Sequence, residues 1–142
     1  MQEKLKIVYW TLTGNTKKAA EIIAEGIKKE NKEVELINVS DASSDVFDNE
    51  DVVILGCPAM GSEVLEESEF DPFIDEISSK VSGKKVALFG SYGWGDGEWM
   101  RNWEDRMLSY GCQLPLDCML IHETPDDNDQ GLIEFGQNIA KL

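Results

Sequence analysis

The sequence predicts a doubly wound α/β domain, a three-layer sandwich whose five-stranded parallel sheet has the order 2-1-3-4-5. Apolar runs of strand length alternate with helical patterns along the whole chain, which favours a parallel sheet covered by helices on both faces. One run, "VVILG", is continuously apolar, as expected of a strand buried on both sides. The 142 residues contain no repeat and no Pro/Gly-rich linker, so we expect one domain spanning residues 1–142.

The first half of the chain is predicted to hold three strands and one helix. "LKIVYW" predicts a strand over 5–10, and "EVELINV" and "DVVILGC" predict strands over 33–39 and 51–57. The intervening stretch, 14–30, has apolar side chains at helical spacing. These side chains are Ala19, Ile22, Ile23 and Ile27.

The second half continues the alternation. "FDPFIDEIS" predicts a helix over 70–78 with Pro72 in its first turn. The remaining predicted elements are a strand over 84–91, a helix over 97–110, a strand within 113–121 and a helix over 128–141. With right-handed crossovers, this order places a switch point between the first and third strands, where ligands bind at the carboxyl ends.

The net charge of −15 is unevenly distributed. Residues 33–79 contain no Lys or Arg but carry fourteen of the 28 acidic side chains. Nucleic acid is excluded as a partner, because binding phosphates requires cationic side chains. The acidic stretch either serves solubility or forms a face that steers a basic partner.

The cysteines and the histidine predict neither a disulfide nor a metal site. Cys57, Cys112 and Cys118 are odd in number and form no CxxC, as is typical of reduced thiols in a cytoplasmic protein. His122 is the only histidine, so no His-rich metal site is possible. The N-terminal apolar run is too short for a signal peptide, and no stretch approaches the ~20 apolar residues of a membrane span. We therefore expect a soluble, cytoplasmic protein.

The loop "TLTGNT", which follows the first strand, has the composition of a phosphate-binding loop. It ends where a helix begins, so that backbone N–H groups and the positive end of the helix dipole point outward. Three threonines and Asn15 add neutral donors, and Gly14 permits close approach of the backbone. Neither the P-loop pattern nor GxGxxG is present, so NTP hydrolysis is not expected. The alternative for this loop alone is an ordinary helix cap.

Two further loops are expected at the same edge of the sheet. "PAMGSEVLEESE" follows the third strand and supplies Met60, which suits packing on a flat ring. "SYGWGDGEWM" follows the fourth strand, and its glycines expose Trp94 unless a planar partner covers that indole. Trp99 and Trp103 are interpreted as core residues, whereas the position of Trp10 stays open. A phosphate loop beside two ring-packing side chains suggests flavin mononucleotide (FMN).

The chain resembles the short-chain, clostridial-type FMN flavodoxins over essentially its whole length. The segments that carry the resemblance are "TLTGNT", "AMGSEVLEESEF" and "ALFGSYGWGDG". The resemblance implies a flavodoxin-like fold and assigns the phosphate to Thr11, Thr13, Asn15 and Thr16. It also implies that Met60 and Trp94 cover the two faces of the ring, that the carbonyl of Gly61 turns toward flavin N5 on reduction, and that Glu63 accepts from N3. The candidate cofactor-binding residues are Thr11, Leu12, Thr13, Gly14, Asn15, Thr16, Pro58, Ala59, Met60, Gly61, Ser62, Glu63, Ser91, Tyr92, Gly93, Trp94, Gly95, Asp96 and Gly97.

Three positions depart from the family pattern. Leu12 stands where relatives have a small residue, Pro58 where serine is typical, and Ser62 where an acid is common. The acids expected beside the ring are Glu63, Glu66, Glu67, Glu69, Asp71 and Asp96.

The resemblance implies a monomeric, low-potential one-electron carrier that cycles FMN between quinone, semiquinone and hydroquinone, in place of or beside ferredoxin. Its expected partners are redox enzymes with basic docking faces. An FMN enzyme that oxidises NAD(P)H is the alternative, and a flavodoxin specialised to activate one enzyme stays open. A response-regulator receiver is excluded, because "YWTLT" and "LGCPAM" lack its acid pair and phosphoacceptor aspartate.

Overall fold

A computed structural model describes residues 4–12, 14–60, 64–93 and 95–142. The strands are β1 (Lys4–Tyr9), β2 (Glu33–Asn38), β3 (Val52–Gly56), β4 (Lys85–Tyr92) and β5 (Met119–His122). The helices are α1 (Asn15–Lys29), α2 (Phe70–Ile77), α3 (Glu98–Ser109) and α4 (Gln130–Ala140), and a 3-10 turn covers Val39–Asp41. The predicted alternation is confirmed.

The five strands form one parallel sheet in the order β2-β1-β3-β4-β5, as predicted. Registers such as Tyr9 with Gly56 and Gly56 with Phe89 align the carboxyl ends of the central strands at one edge. The loops after β1, β3 and β4 therefore start side by side.

Two apolar cores lie on opposite faces of the sheet. Alternate residues of β3 separate into them: Val52 and Ile54 pack with α1 and α4, whereas Val53 and Leu55 pack with α2 and α3. All five residues of β3 are buried, which explains the continuous apolar run in its sequence. Trp99 and Trp103 belong to the core, as predicted.

The core on the first face depends on a close crossing of α1 and α4. A Cβ on Gly26 would lie 2.1 Å from the carbonyl oxygen of Ile133, and a Cβ on Gly136 would lie 2.1 Å from that of Ile23. Only glycine fits at either position, because each helix touches the backbone of the other.

The main difference from the sequence prediction is β5, which spans only Met119–His122 at the end of the wide window 113–121. The segment before it contributes one isolated bridge, between Gln113 and Lys85. Within the described ranges, no helix combines the length and the apolar character that crossing a bilayer requires.

Candidate functional site

A cleft of about 370 Å³ opens at the carboxyl edge of the sheet. It is lined by Thr11, Leu12, Asn15, Thr16, Pro58, Ala59, Met60, Ser91, Tyr92, Gly93, Glu123 and Thr124. The structure therefore brings together ten of the nineteen candidate residues, drawn from all three expected loops. Thr13, Gly61, Ser62, Glu63 and Trp94 lie outside the described residues.

The loop after β1 leaves the amino end of α1 open to an anion. Gly14 adopts a left-handed φ of 97°, and its N–H donates to Oγ1 of Thr11 at 3.1 Å. Within the described residues, the N-cap of α1 has no side-chain cap, which leaves N–H groups of the first turn open to a ligand. Leu12 is 73% exposed at the rim of the cleft.

Two buried hydroxyls join the first loop to β4. Oγ1 of Thr16 lies 3.0 Å from Oγ of Ser91, and the two residues are 1% and 5% exposed. Both line the cleft. A hydroxyl both donates and accepts, so each can hold its partner and still offer a hydrogen bond to a ligand.

Backbone hydrogen bonds tie the described part of the loop after β3 to β4 and link Met60 to Val64. The N–H of Ala59 donates to the carbonyl of Ser91 at 2.9 Å, which extends the sheet pairing beyond Gly56. The N–H of Met60 donates to the carbonyl of Val64, also at 2.9 Å. Met60 lines the cleft.

The loop after β4 divides into a cleft-lining part and a helix-capping part. Tyr92 lines the cleft and packs against Trp99 and His122, with ring centroids 5.7 and 5.1 Å apart. Gly97 is the N-cap of α3. Asp96 forms a 3.1 Å ion pair with Arg101.

Gly95, Asp96 and Gly97 therefore shape the start of α3, and they are absent from the described cleft lining. Gly95 and Gly97 have φ values of 89° and 91°, which explains the glycines at these positions.

The sequence analysis missed Glu123 and Thr124, which follow β5 and complete the cleft. Oγ1 of Thr124 donates to Oδ1 of Asn15 at 2.9 Å. Glu123 has a φ of 60°, and its N–H donates to the carbonyl of Tyr92 at 2.8 Å. These two residues could have been predicted from the rule that the loops at the carboxyl ends of parallel strands meet at one edge of the sheet. The rule could not be applied, because the end of the fifth strand was predicted only within 113–121.

The acids near the cleft do not form one uniform face. Glu67, Glu69 and Asp96 are exposed, as an acidic docking face requires. Asp71 pairs with Arg106 at 2.7 Å, and Glu66 is buried. Glu66 was expected among the acids beside the ring, but its local hydrogen bonds direct its carboxylate into the loop rather than to solvent. Trp10 is half-buried, and its Nε1 donates to Glu69 at 3.3 Å.

The three thiols are free, and their environments keep them protonated. Burial raises the pKa of Cys57, and burial also raises the pKa of Cys112 to about 11. Burial and the neighbouring carboxylate of Glu104 raise the pKa of Cys118. Among the described residues, no group of three or more His, Cys, Asp or Glu side chains could hold a metal ion.

The chain matches the family model described as flavodoxin over residues 7–136. It is 60% identical over 138 residues to a flavodoxin of Clostridium beijerinckii, covering 97% of this chain and 100% of that relative. The chain belongs to the flavodoxin family. The short-chain, clostridial-type resemblance is confirmed.

Further comparisons agree with both the sequence and the fold of this flavodoxin. A flavodoxin of Megasphaera elsdenii is 43% identical over 137 residues, covering 96% of this chain and 98% of the relative. The solution structure of two-electron reduced M. elsdenii flavodoxin superimposes with a TM-score of 0.89 at 42% identity, covering 97% and 99% of the two chains. Like other flavodoxins, this chain is an electron-transfer protein that uses FMN.

The cleft of this flavodoxin fits FMN by size and by donor set. Its volume lies in the usual range of small-molecule sites, roughly 300–1,000 Å³. Its described lining contains neutral donors from Thr11, Asn15, Thr16, Ser91 and Thr124, the carboxylate of Glu123, and no Lys or Arg. The uncapped end of α1 supplies the positive potential that a phosphate needs in place of a cationic side chain.

Proposed function

We propose that this flavodoxin holds FMN in the cleft at the carboxyl ends of β1, β3 and β4, and that it works as a low-potential one-electron carrier in place of or beside ferredoxin. The observation that carries the proposal is the cleft itself, where N–H groups at the start of α1 and five neutral polar side chains meet beside Met60 and Tyr92. The bound flavin supplies the electron chemistry, and the protein binds and orients it.

The phosphate is assigned to the first loop. Asn15 and Thr16 start α1 at the cleft, and Thr11 is held close to them by its hydrogen bond to Gly14. Thr13 completes the set on the sequence pattern alone. Each hydrogen bond to a charged oxygen contributes ~1.5–3 kcal/mol, so a few such bonds require that FMN binds at least ~100-fold more tightly than riboflavin.

Titration of the apoprotein with FMN and with riboflavin tests this assignment. The quenching of flavin fluorescence gives both dissociation constants. Equal affinities for the two flavins would mean that the first loop is only a helix cap, and the assignment would fail.

The ring is assigned to the space between Met60 and Trp94, with Gly61 and Glu63 beside its N5 and N3 edges. Trp94→Ala should weaken FMN binding by about tenfold and raise the fluorescence of the bound flavin, because stacking contributes on the order of 1 kcal/mol beyond area burial. Trp10→Phe is the matched control, because Trp10 does not belong to the described cleft lining. If the two variants behave alike, Trp94 is not a ring contact.

The exposed acids around the cleft are proposed to dock basic faces of redox partners. Glu67 and Glu69 lie in the loop between β3 and α2, and Asp96 lies in the loop between β4 and α3. Opposite charges on carrier and partner raise the rate of encounter, most strongly at low salt.

We also infer a single-domain, cytoplasmic monomer. The exposed large apolar residues of the described chain are spread over separate elements, as expected of a protein without a permanent partner. They are Leu12, Leu36, Val64, Leu108 and Leu120. Three free thiols suit a reducing compartment. Light scattering of the purified holoprotein at micromolar concentration should give the mass of one chain.

A further inference from the structure

The segment between β5 and α4, residues 123–129, is fixed to neighbouring elements at both of its ends. It begins at Glu123, whose left-handed φ of 60° turns the chain and whose N–H donates to the carbonyl of Tyr92 at 2.8 Å. It ends at Asp129, the N-cap of α4, whose side chain accepts from the N–H of Leu132 at 3.1 Å. The segment is therefore held in place beside the cleft.

Two side-chain contacts join the middle of this segment to the first turn of α1. The hydroxyl of Thr124 donates to Oδ1 of Asn15 at 2.9 Å, and Nζ of Lys18 lies 2.7 Å from Oδ1 of Asp127. Thr124 and Asn15 both line the cleft, whereas Lys18 and Asp127 are absent from its described lining. Only the contact between Thr124 and Asn15 can therefore act on a ligand in the cleft.

The side-chain amide of Asn15 has one end that suits an anion and one that does not. Its NH₂ group donates hydrogen bonds, whereas its oxygen only accepts them and repels an anionic oxygen. Because Oδ1 is engaged by the hydroxyl of Thr124, the NH₂ group is the end of the amide that is left for a ligand. The contact thus selects the orientation of the amide that a phosphate requires.

Thr11 is prepared in the same way on the other side of Gly14. Its Oγ1 accepts from the N–H of Gly14 at 3.1 Å, which leaves the proton of its hydroxyl for a ligand. In both Thr11 and Asn15, a group of the protein occupies the acceptor atom and the donor stays available. The loop after β1 therefore presents donors to the cleft, and one of them depends on a residue from the far end of the chain.

We propose that Thr124 is a positioning residue for the phosphate of FMN: its hydroxyl occupies the acceptor of the Asn15 amide and thereby directs the NH₂ group to the phosphate. The inference rests on the proposed assignment of the phosphate to the loop after β1. Thr124 acts through Asn15 and makes no contact of its own with the phosphate.

Three variants separate this role from a structural one. Thr124→Val removes the hydroxyl and keeps the shape of the side chain, whereas Thr124→Ser keeps the hydroxyl. Asp127→Asn is the matched control, because it weakens the other contact between the same segment and α1. Thr124 and Asp127 are both exposed, so all three variants should fold.

The first readout is the ratio of the dissociation constants for riboflavin and FMN, measured by titrating the apoprotein with each flavin. Thr124→Val should lower this ratio about three- to tenfold by weakening FMN alone. Thr124→Ser and Asp127→Asn should stay within about twofold of wild type. In an Asn15→Ala background, Thr124→Val should have no further effect, because the amide through which it acts is gone.

The second readout needs no flavin. Inorganic phosphate is titrated into the apoprotein, and the side-chain amide resonances of Asn15 are followed by NMR. They should shift with phosphate in wild type and in Asp127→Asn, and shift much less in Thr124→Val. The absence of a shift in wild type, or an equal shift in Thr124→Val, overturns the proposal.

The affinities also distinguish failure of this inference from failure of the proposed function. If wild type prefers FMN and Thr124→Val keeps the same preference, the phosphate assignment stands and the role of Thr124 is overturned. The role is equally overturned if Thr124→Val weakens both flavins alike, or if its effect persists in the Asn15→Ala background. If wild type binds FMN no better than riboflavin, the phosphate assignment fails and the inference fails with it.

Discussion

Oγ1 of Thr16 lies 3.0 Å from Oγ of Ser91, which joins the first turn of α1 to the end of β4 across 75 positions of sequence. Both hydroxyls are buried and both line the cleft. The contact therefore couples the loop assigned to the phosphate with β4, the strand that precedes the loop bearing Trp94.

This pair should show a measurable coupling energy. Thr16→Val and Ser91→Ala should each destabilise the apoprotein by about 1–2 kcal/mol, because each leaves the other hydroxyl without its partner. The destabilisation of the double variant should be smaller than the sum of the two single effects by about 1 kcal/mol, since the double variant leaves no unpaired hydroxyl. Urea unfolding of the four proteins measures the cycle, and strict additivity would show that the two hydroxyls act independently.

The exposed acids near the cleft should govern electron delivery. Replacing Glu67 and Glu69 with Gln should slow reduction of a basic partner at low salt and have little effect at high salt. It should also raise the lower one-electron potential by some tens of mV, the size that Coulomb's law gives for a unit charge ~10 Å away at an effective dielectric of ~40.

The control for these acids removes two charges elsewhere. Glu21 and Glu25 are exposed on α1, outside the described cleft lining. If their replacement with Gln has the same effect on rate and potential, then net charge alone matters and the acidic face is a solubility feature.

Glu123 should be a source of backbone strain. Its φ of 60° is unfavourable for a long side chain but well tolerated by asparagine. Glu123→Asn should therefore stabilise the apoprotein by about 0.5–1 kcal/mol, as measured by thermal or urea unfolding. Glu123→Gln removes the same charge without relieving the backbone and should leave stability unchanged; equal gains in both variants would assign the effect to charge.

The crossing of α1 and α4 should not tolerate a methyl group. Gly136→Ala places a Cβ 2.1 Å from the carbonyl oxygen of Ile23, so the helices must move apart, at a cost of about 1–3 kcal/mol. In Gly93→Ala the new Cβ meets no atom within 4 Å, so the stability of the apoprotein should hardly change. A wild-type unfolding midpoint for Gly136→Ala would contradict the close approach of the helices.

The stability of the protein should fall in acid partly through Glu66. The folded state holds the pKa of this carboxyl below the ordinary value of a glutamate, so its contribution is complete above that ordinary value and is lost as pH falls through the folded pKa. The free energy of unfolding of Glu66→Gln should therefore be lower than that of wild type at pH 7, with the difference shrinking as the pH falls below the ordinary pKa of a glutamate. A difference that does not depend on pH would show that the carboxyl is not ionised in the folded protein.

Much of this fold and of the site follows from local patterns in the sequence. The continuous apolar run of β3 predicts a strand buried on both faces, and the helical spacing of Ala19, Ile22 and Ile23 predicts the buried face of α1; both are confirmed. Because carboxyl ends of parallel strands share one edge, the order of elements also predicts that the segments bearing Thr16, Met60 and Ser91 meet, and they do.

Other features depend on partners that are distant in the chain, and only the tertiary structure decides them. β5 has a weak apolar pattern of its own, and its extent is defined by pairing with β4, which in turn brings Glu123 and Thr124 into the cleft. In the sequence, Gly26 and Gly136 cannot be distinguished from other helical glycines, because the requirement for glycine comes from the crossing of α1 and α4. Glu66 lies in an acidic run beside two exposed glutamates, and composition could not separate them. Its burial is decided by a backbone turn that aims three N–H groups at one carboxylate.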